Sequence, residues 1–116
     1  MDDNSISLSP LEALSGERYQ GKTYIQERAV SIGTTRSIIL DNNPNRLAWD
    51  LINTSLIEIR ISNSPDLAST TGFLLSPSGG EIGMNYQEDG EGSGYAVYAI
   101  STAAGATAWI REVIRS

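Results

Sequence analysis

Short runs of alternating apolar and polar residues, each closed by turn-forming residues, extend along this chain from Thr23 onward. A period of two is typical of strands that bury one face, and no convincing helical period of 3.6 residues follows residue 22. The runs cover residues 23–32, 35–40, 46–53, 56–62, 73–75, 81–86, 95–101 and 106–114. Short strands at this spacing predict an all-β fold, an antiparallel β-sandwich of jelly-roll or related Greek-key type.

The clearest alternation occurs in residues 46–53 and 56–62, which are separated by a brief turn signal. This arrangement predicts a half-buried hairpin. We expect the register that places Asp50 opposite Arg60. A shift by two residues would set Asp50 against Glu58, and like charges directly across a ladder are unfavourable.

Residues 1–22 are polar and show little alternation, which separates them from the predicted sandwich at 23–116. Within them Ser9-Pro10-Leu11-Glu12 has the pattern of a capping box with proline at the first helical position. We interpret residues 1–22 as an extended arm with one helical turn near Ser9–Leu14; a tail without fixed structure is the alternative. Because so short a helix is marginal alone, Leu11 and Leu14 are candidate contacts to a partner surface.

Composition excludes several classes of function. The formal net charge of −6 argues against nucleic-acid binding, which depends on neutralising phosphates. The chain has no Cys and no His, which removes disulfides, thiolate or imidazole zinc sites and Ser–His relays. It begins Met-Asp-Asp and has no long apolar run, so we expect neither a signal peptide nor a membrane span, and synthesis in the cytoplasm.

Acidic residues are the candidates for cation binding and for acid–base catalysis. The glycine-rich segment Glu88–Gly94 holds three carboxylates, which predicts a solvated hairpin tip and leaves open the binding of a hard cation. Asp50, Glu58 and Glu112 could supply paired carboxylates for glycoside hydrolysis, but their spacing does not favour it. We therefore expect that the protein is not an enzyme and that it has no catalytic residues, no metal site and no cofactor.

Aromatic residues provide the candidates for interaction. Trp49 is in phase with neighbouring leucines and is expected in the core. Trp109 lies opposite the apolar positions of its strand and in phase with Arg111, so both are candidate interface residues together with Tyr95. A domain of 12.5 kDa has a marginal core, and association with further copies or docking on a larger body would add burial.

Three blocks of the sequence resemble small β-sandwich proteins of tailed phages, which serve as head decoration (cement) or fibre-associated virion proteins. The blocks are Asn45-Arg46 with Trp49, Ile52–Ser55 and Ile57-Glu58-Ile59; Gly72–Pro77 with Gly79-Gly80; and Val97–Thr102 with Thr107-Ala108-Trp109. The resemblance covers residues 35–116 and leaves the arm outside.

The resemblance implies a non-enzymatic structural protein on the capsid surface of a virion. It also implies a trimer that clamps neighbouring subunits of the major capsid protein. Two other classes remain open: a carbohydrate- or receptor-binding module of a phage fibre or spike, and a small enzyme or intracellular binding module.

Overall fold

The computed structural model describes residues 22–116, which form eight strands, one short helix and one 3₁₀ helix. The strands are β1 (Thr23–Ile32), β2 (Ser37–Leu40), β3 (Arg46–Asn53), β4 (Ile59–Ser62), β5 (Phe73–Leu75), β6 (Glu81–Asn85), β7 (Val97–Ser101) and β8 (Ala106–Arg115). Helix α1 (Tyr86–Asp89) and the 3₁₀ helix (Gly90–Gly94) lie between β6 and β7.

The strands make two four-stranded antiparallel sheets, ordered β1-β8-β3-β6 and β2-β7-β4-β5. Strands 1 and 8, 2 and 7, 3 and 6, and 4 and 5 are neighbours, and these pairs are divided between the sheets. Such an order is that of a jelly roll. The predicted all-β sandwich is confirmed, and of the two types left open the protein adopts the jelly roll.

Apolar side chains on the facing sides of the two sheets form the core. Trp49 is 2% exposed, which confirms its predicted position. The largest fully buried apolar side chains are Ile32, Leu40, Leu51, Ile59, Ile61, Ile110, Val97 and Val113. Alanines at 99, 106 and 108 are also buried. Strand alternation thus correctly identified the inward face of β3 and β8.

The predicted hairpin between residues 46–53 and 56–62 is wrong, because β3 and β4 belong to different sheets. Asp50 pairs with Arg111 of β8, while Arg60 pairs with residues of β5 and β7. The turn at Asn53 explains the difference: this fully buried side chain donates hydrogen bonds to the carbonyls of Ile57 (2.7 Å) and Leu75 (3.1 Å). It therefore directs the chain across the sandwich rather than back along the same sheet.

The segment Glu88–Gly94 is not a simple hairpin tip. Asn85 caps α1, since its Oδ1 accepts a hydrogen bond from the Glu88 backbone at 2.9 Å, and the 3₁₀ helix follows directly. The absence of a helical period after residue 22 predicted no helix in this part of the chain, and that prediction is wrong for residues 86–94. Ser9–Leu14 itself, like the rest of residues 1–21, lies outside the described residues.

The connections divide the sandwich into two unlike ends. The end that holds connections 33–36, 54–58, 76–80 and 102–105 is called the crossover end. The opposite end, which holds connections 41–45, 63–72 and 86–96, is called the cleft end. Both ends of residues 22–116 also lie at the cleft end, since Thr23 pairs with Arg115.

Within residues 22–116, no helix has the length and apolar character needed to traverse a bilayer.

Candidate functional site

A cleft of about 460 Å³ opens at the cleft end. Its walls come from the β2–β3 turn, the start of β3, the β6–β7 segment and the end of β8. The lining residues are Asn42, Pro44, Arg46, Leu47, Tyr86, Glu91, Ser93, Gly94, Tyr95 and Arg115. This volume lies within the range of about 300–1,000 Å³ that is usual for small-molecule sites.

Hydrogen bonds hold the two main walls together. The Asn43 backbone N–H donates to the Gly94 carbonyl at 2.7 Å, and Ser93 Oγ donates to the Arg46 carbonyl at 3.1 Å. Gly94 is required at this contact, because a Cβ there would lie 2.5 Å from the Asn43 carbonyl oxygen. The β2–β3 turn and the β6–β7 segment therefore approach each other backbone to backbone.

The end of β8 is fixed to the same turn. The Arg115 backbone N–H donates to the Asn45 carbonyl, and Arg115 Nε donates to Asn45 Oδ1, both at 2.9 Å. Asn45 is itself oriented by its N–H, which donates to Asn43 Oδ1 at 2.9 Å. Three separate parts of the chain thus form one connected wall.

A charged cluster lies beneath the cleft, with Glu112 and Arg46 buried and Arg28 partly exposed. Glu112 accepts from Arg28 Nη1 through Oε1 (2.7 Å) and from Arg46 Nε through Oε2 (2.8 Å). Arg46 is 3% exposed and also donates to the carbonyls of Asp41 (2.7 Å) and Tyr95 (3.4 Å). Arg46 therefore acts as an internal strut between β8, the β2–β3 turn and the β6–β7 segment.

Opposing effects set the pKa of Glu112. Burial alone would raise it, but the hydrogen bonds and positive charges of Arg28 and Arg46 together hold the pKa of Glu112 below its usual value. The carboxylate is therefore ionised at neutral pH, and both of its oxygens are already engaged. It is suited to holding the end of the sandwich rather than to exchanging protons.

A second hollow, of about 330 Å³, lies beside the first and shares Asn42 and Arg46 with it. Its other lining residues are Tyr24, Gln26, Arg28, Asp41, Asn43, Glu112 and Ile114. It lies over the charged cluster where β1 and β8 continue beyond the core. The cleft end thus has a continuous polar and aromatic surface.

The structure does not bring the three candidate carboxylates together. Glu112 is on the inner face of its sheet with Arg46, Asp50 is on the outer face opposite Arg111, and Glu58 precedes β4 in the other sheet. Burial, reinforced by the charge of Glu81, raises the pKa of Asp50, with Arg111 opposing. Among residues 22–116, no group of three or more acidic side chains is placed to hold a metal ion.

The predicted interaction residues are distributed over separate surfaces. Tyr95 lines the cleft and is 50% exposed. Trp109 and Arg111 lie together on the outer face of the β1-β8-β3-β6 sheet, and Trp109 Nε1 donates to Glu27 at 3.1 Å. Leu11 and Leu14 lie outside the described residues. Contact of any of these with a partner stays a prediction.

Sequence reasoning missed the charged cluster, although a signal for it was present. Glu112 continues the inward phase of Ala108 and Ile110, and Arg28 continues the inward phase of Val30. Charged residues in phase with an apolar face indicate a buried pair, since an unpaired buried charge is very costly. Tyr86 was missed as a cleft residue because its alternation with Met84 suggested a continuing strand.

The chain matches no family model and no curated protein. It is similar to the solved structure of a Bacillus endospore appendage, from a family of disulfide-linked pili, with 12% sequence identity and a TM-score of 0.41. That alignment covers 97% of this chain and 98% of the other.

Proposed function

We propose that this protein is a non-enzymatic structural virion protein of a bacteriophage, a capsid decoration protein that clamps neighbouring subunits of the major capsid protein. In this role the sandwich makes the contacts of a homotrimer, and the arm at residues 1–22 grips the shell. The observation that supports it best is an apolar outer face on the β2-β7-β4-β5 sheet.

Two adjacent rows of side chains make up this outer face. Ile38 (51% exposed) lies opposite Tyr98 in one row, and Ile100, Arg60 and Leu74 (45% exposed) follow one another in the next. Ile100 at the centre of the face is 9% exposed, so the exposed apolar surface lies at the two edge strands, on Ile38 and Leu74. Exposed apolar side chains are candidates for an interaction surface, because water contact with them is unfavourable. The face is thus suited to pack against another copy of the chain.

Arg60 strengthens this argument. It lies between Ile100 and Leu74, and its buried Nε has no hydrogen-bond partner among the described residues. Its Nη1 donates to the Gly72 carbonyl at 3.5 Å, which holds the side chain across the row. Arginine is enriched at the energetic centres of interfaces, so its position between Ile100 and Leu74 fits a packed subunit.

The mass of the protein in solution tests the trimer. We expect three times the 12.5 kDa chain mass by analytical ultracentrifugation, and dissociation when Leu74→Glu places a charge in the apolar face. Leu56→Glu is the matched control, since Leu56 is 84% exposed and lies at the crossover end. A monomeric wild-type protein, or equal dissociation by both variants, would contradict the proposed trimer surface.

Removal of residues 1–16 tests the role of the arm. We expect the sandwich to remain folded, by circular dichroism, while co-purification with capsids and the thermal stability of particles decrease. Capsid binding as tight as that of the full chain would show that the arm has no such role.

A further inference from the structure

The cleft holds features that assembly through a sheet face does not require. Tyr86 and Tyr95, which come from opposite ends of the β6–β7 segment, both line it and are 46% and 50% exposed. Tyrosine combines an apolar ring with a polar hydroxyl and is favoured where one side of a contact is apolar and the other wet. Two such residues beside one cleft provide stacking surfaces for a flat, partly apolar ligand.

Polar groups converge on the same space. Within residues 22–116, the side chains of Asn42 and Glu91 make no hydrogen bond or ion pair, and neither do the two tyrosine hydroxyls. They combine amide donors, carboxylate and amide acceptors, and hydroxyls that serve as both. Such a mixture complements a ligand that has several neighbouring hydroxyl groups.

The cleft is organised before any ligand enters. The Asn43–Gly94 backbone contact, the Ser93–Arg46 hydrogen bond and the Arg115–Asn45 pair hold its walls. Walls that are already fixed reduce the entropy lost on binding, which favours affinity for a small ligand.

Charge narrows the ligand class. Arg46 is engaged with Glu112 and with backbone carbonyls, so its charge is already balanced inside the protein. Glu91 and Arg115 contribute one negative and one positive charge to the lining, which therefore has no excess of positive charge, and the chain as a whole carries −6. Anionic ligands such as phosphates or uronic acids are therefore disfavoured.

We propose that the cleft binds one or two rings of a neutral glycan. The apolar faces of the sugar rings stack on Tyr86 and Tyr95, and the ring hydroxyls hydrogen-bond with Asn42 and Glu91. This activity is separate from the trimer surface, because the cleft lies at one end of the sandwich and the apolar face on its side. It adds recognition of a polysaccharide to a protein whose assembly depends on other residues.

Titration of the full ¹⁵N-labelled chain with maltotriose, cellotriose and chitotriose tests the proposal. Each sugar is added to about 10 mM, which saturates a complex of millimolar Kd. We expect at least one to shift backbone resonances of residues 42–47 and 86–95 and to leave 54–58 unchanged. Tyr95→Ala removes one of the two stacking surfaces, and we expect it to weaken binding about tenfold, which corresponds to about 1.4 kcal/mol.

Matched variants distinguish this site from other exposed aromatic residues. Tyr86→Phe and Tyr95→Phe keep the rings and should retain most of the affinity, whereas Trp109→Ala should leave it unchanged. The proposal is overturned if none of the three sugars shifts the cleft resonances. It is equally overturned if Trp109→Ala weakens binding as much as Tyr95→Ala, or if a proline-rich peptide binds the cleft and the sugars do not.

Discussion

The two ends of the sandwich are closed by different chemistry. At the crossover end, neutral groups complete the hydrogen bonding: Asn53 satisfies two carbonyls, and Ser101 Oγ donates to the Ala103 carbonyl at 2.8 Å. At the cleft end, a buried carboxylate binds two arginines, and exposed tyrosines lie above it. All four connections at the crossover end pass between the sheets, whereas at the cleft end connection 63–72 stays within one sheet. The cleft end in addition keeps polar and aromatic groups accessible to water. Loops on a rigid scaffold commonly carry function in this way.

The largest effect should come from removing the charge at the centre of the cleft end. Glu112→Gln leaves the buried Arg46 without a counter-ion, and breaking a buried ion pair typically costs about 3–5 kcal/mol. Urea unfolding measures the change in the free energy of unfolding. Arg28→Gln is the control, with an expected loss of about 1 kcal/mol or less, since Arg28 is partly exposed and Glu112 keeps Arg46. Equal losses in the two variants would contradict the strut role of Arg46.

At the crossover end, Asn53→Ala should destabilise the protein by about 2–3 kcal/mol, because it leaves buried carbonyls without donors. The same urea titration provides the measurement. Thr54→Ala serves as the neighbouring control, since Thr54 is exposed and should change stability by less than about 0.5 kcal/mol. If both substitutions were neutral, the turn between sheets would depend on backbone hydrogen bonds alone.

A smaller effect is expected from the close backbone contact at the cleft wall. In Gly94→Ala the new Cβ meets the Asn43 carbonyl, and overpacking of this kind costs about 1–3 kcal/mol. Gly33→Ala at the crossover end is the comparison, because a Cβ there would lie 3.9 Å from the Thr35 nitrogen, an ordinary van der Waals contact. Thermal unfolding of the two variants should therefore differ, with Gly94→Ala the less stable. The reverse order would show that the wall of the cleft yields easily.

The last prediction concerns pH dependence and depends on the same carboxylate. Because the pKa of Glu112 is lowered in the folded protein, its stabilising contribution is present above the usual glutamate range near pH 4.3 and is lost as the pH falls through the folded value. Glu112→Gln should remove this part of the acid sensitivity in unfolding curves recorded between neutral and acidic pH. The pKa of Asp50 is raised, so its effect on stability has the opposite pH dependence. Its contribution to the free energy of unfolding is present at low pH and is lost as the pH rises. An unchanged acid profile in Glu112→Gln would contradict the lowered pKa.

Alternation within the sequence predicted the positions and faces of the strands better than it predicted which strands pair. The strand at Arg46–Asn53 and the buried position of Trp49 follow from alternation, because a half-buried strand must place apolar residues on one side. The pairing of Asp50 was wrong, because alternation defines the faces of a strand and not the strand beside it. Arg60 and Arg111 offered equally suitable counter-charges, and the choice between them depended on the buried turn at Asn53.

The sequence by itself determined the fold class, the number of short strands, the inward faces of β3 and β8 and the absence of thiol and imidazole chemistry. These properties depend on residue type and on spacing within a few residues. Tertiary structure alone decided the jelly-roll order, the meeting of Arg28 and Arg46 on Glu112, and the cleft between Tyr86 and Tyr95. The reason is physical: these contacts join residues far apart in the chain, and their energy is gained only when both sheets are already in place.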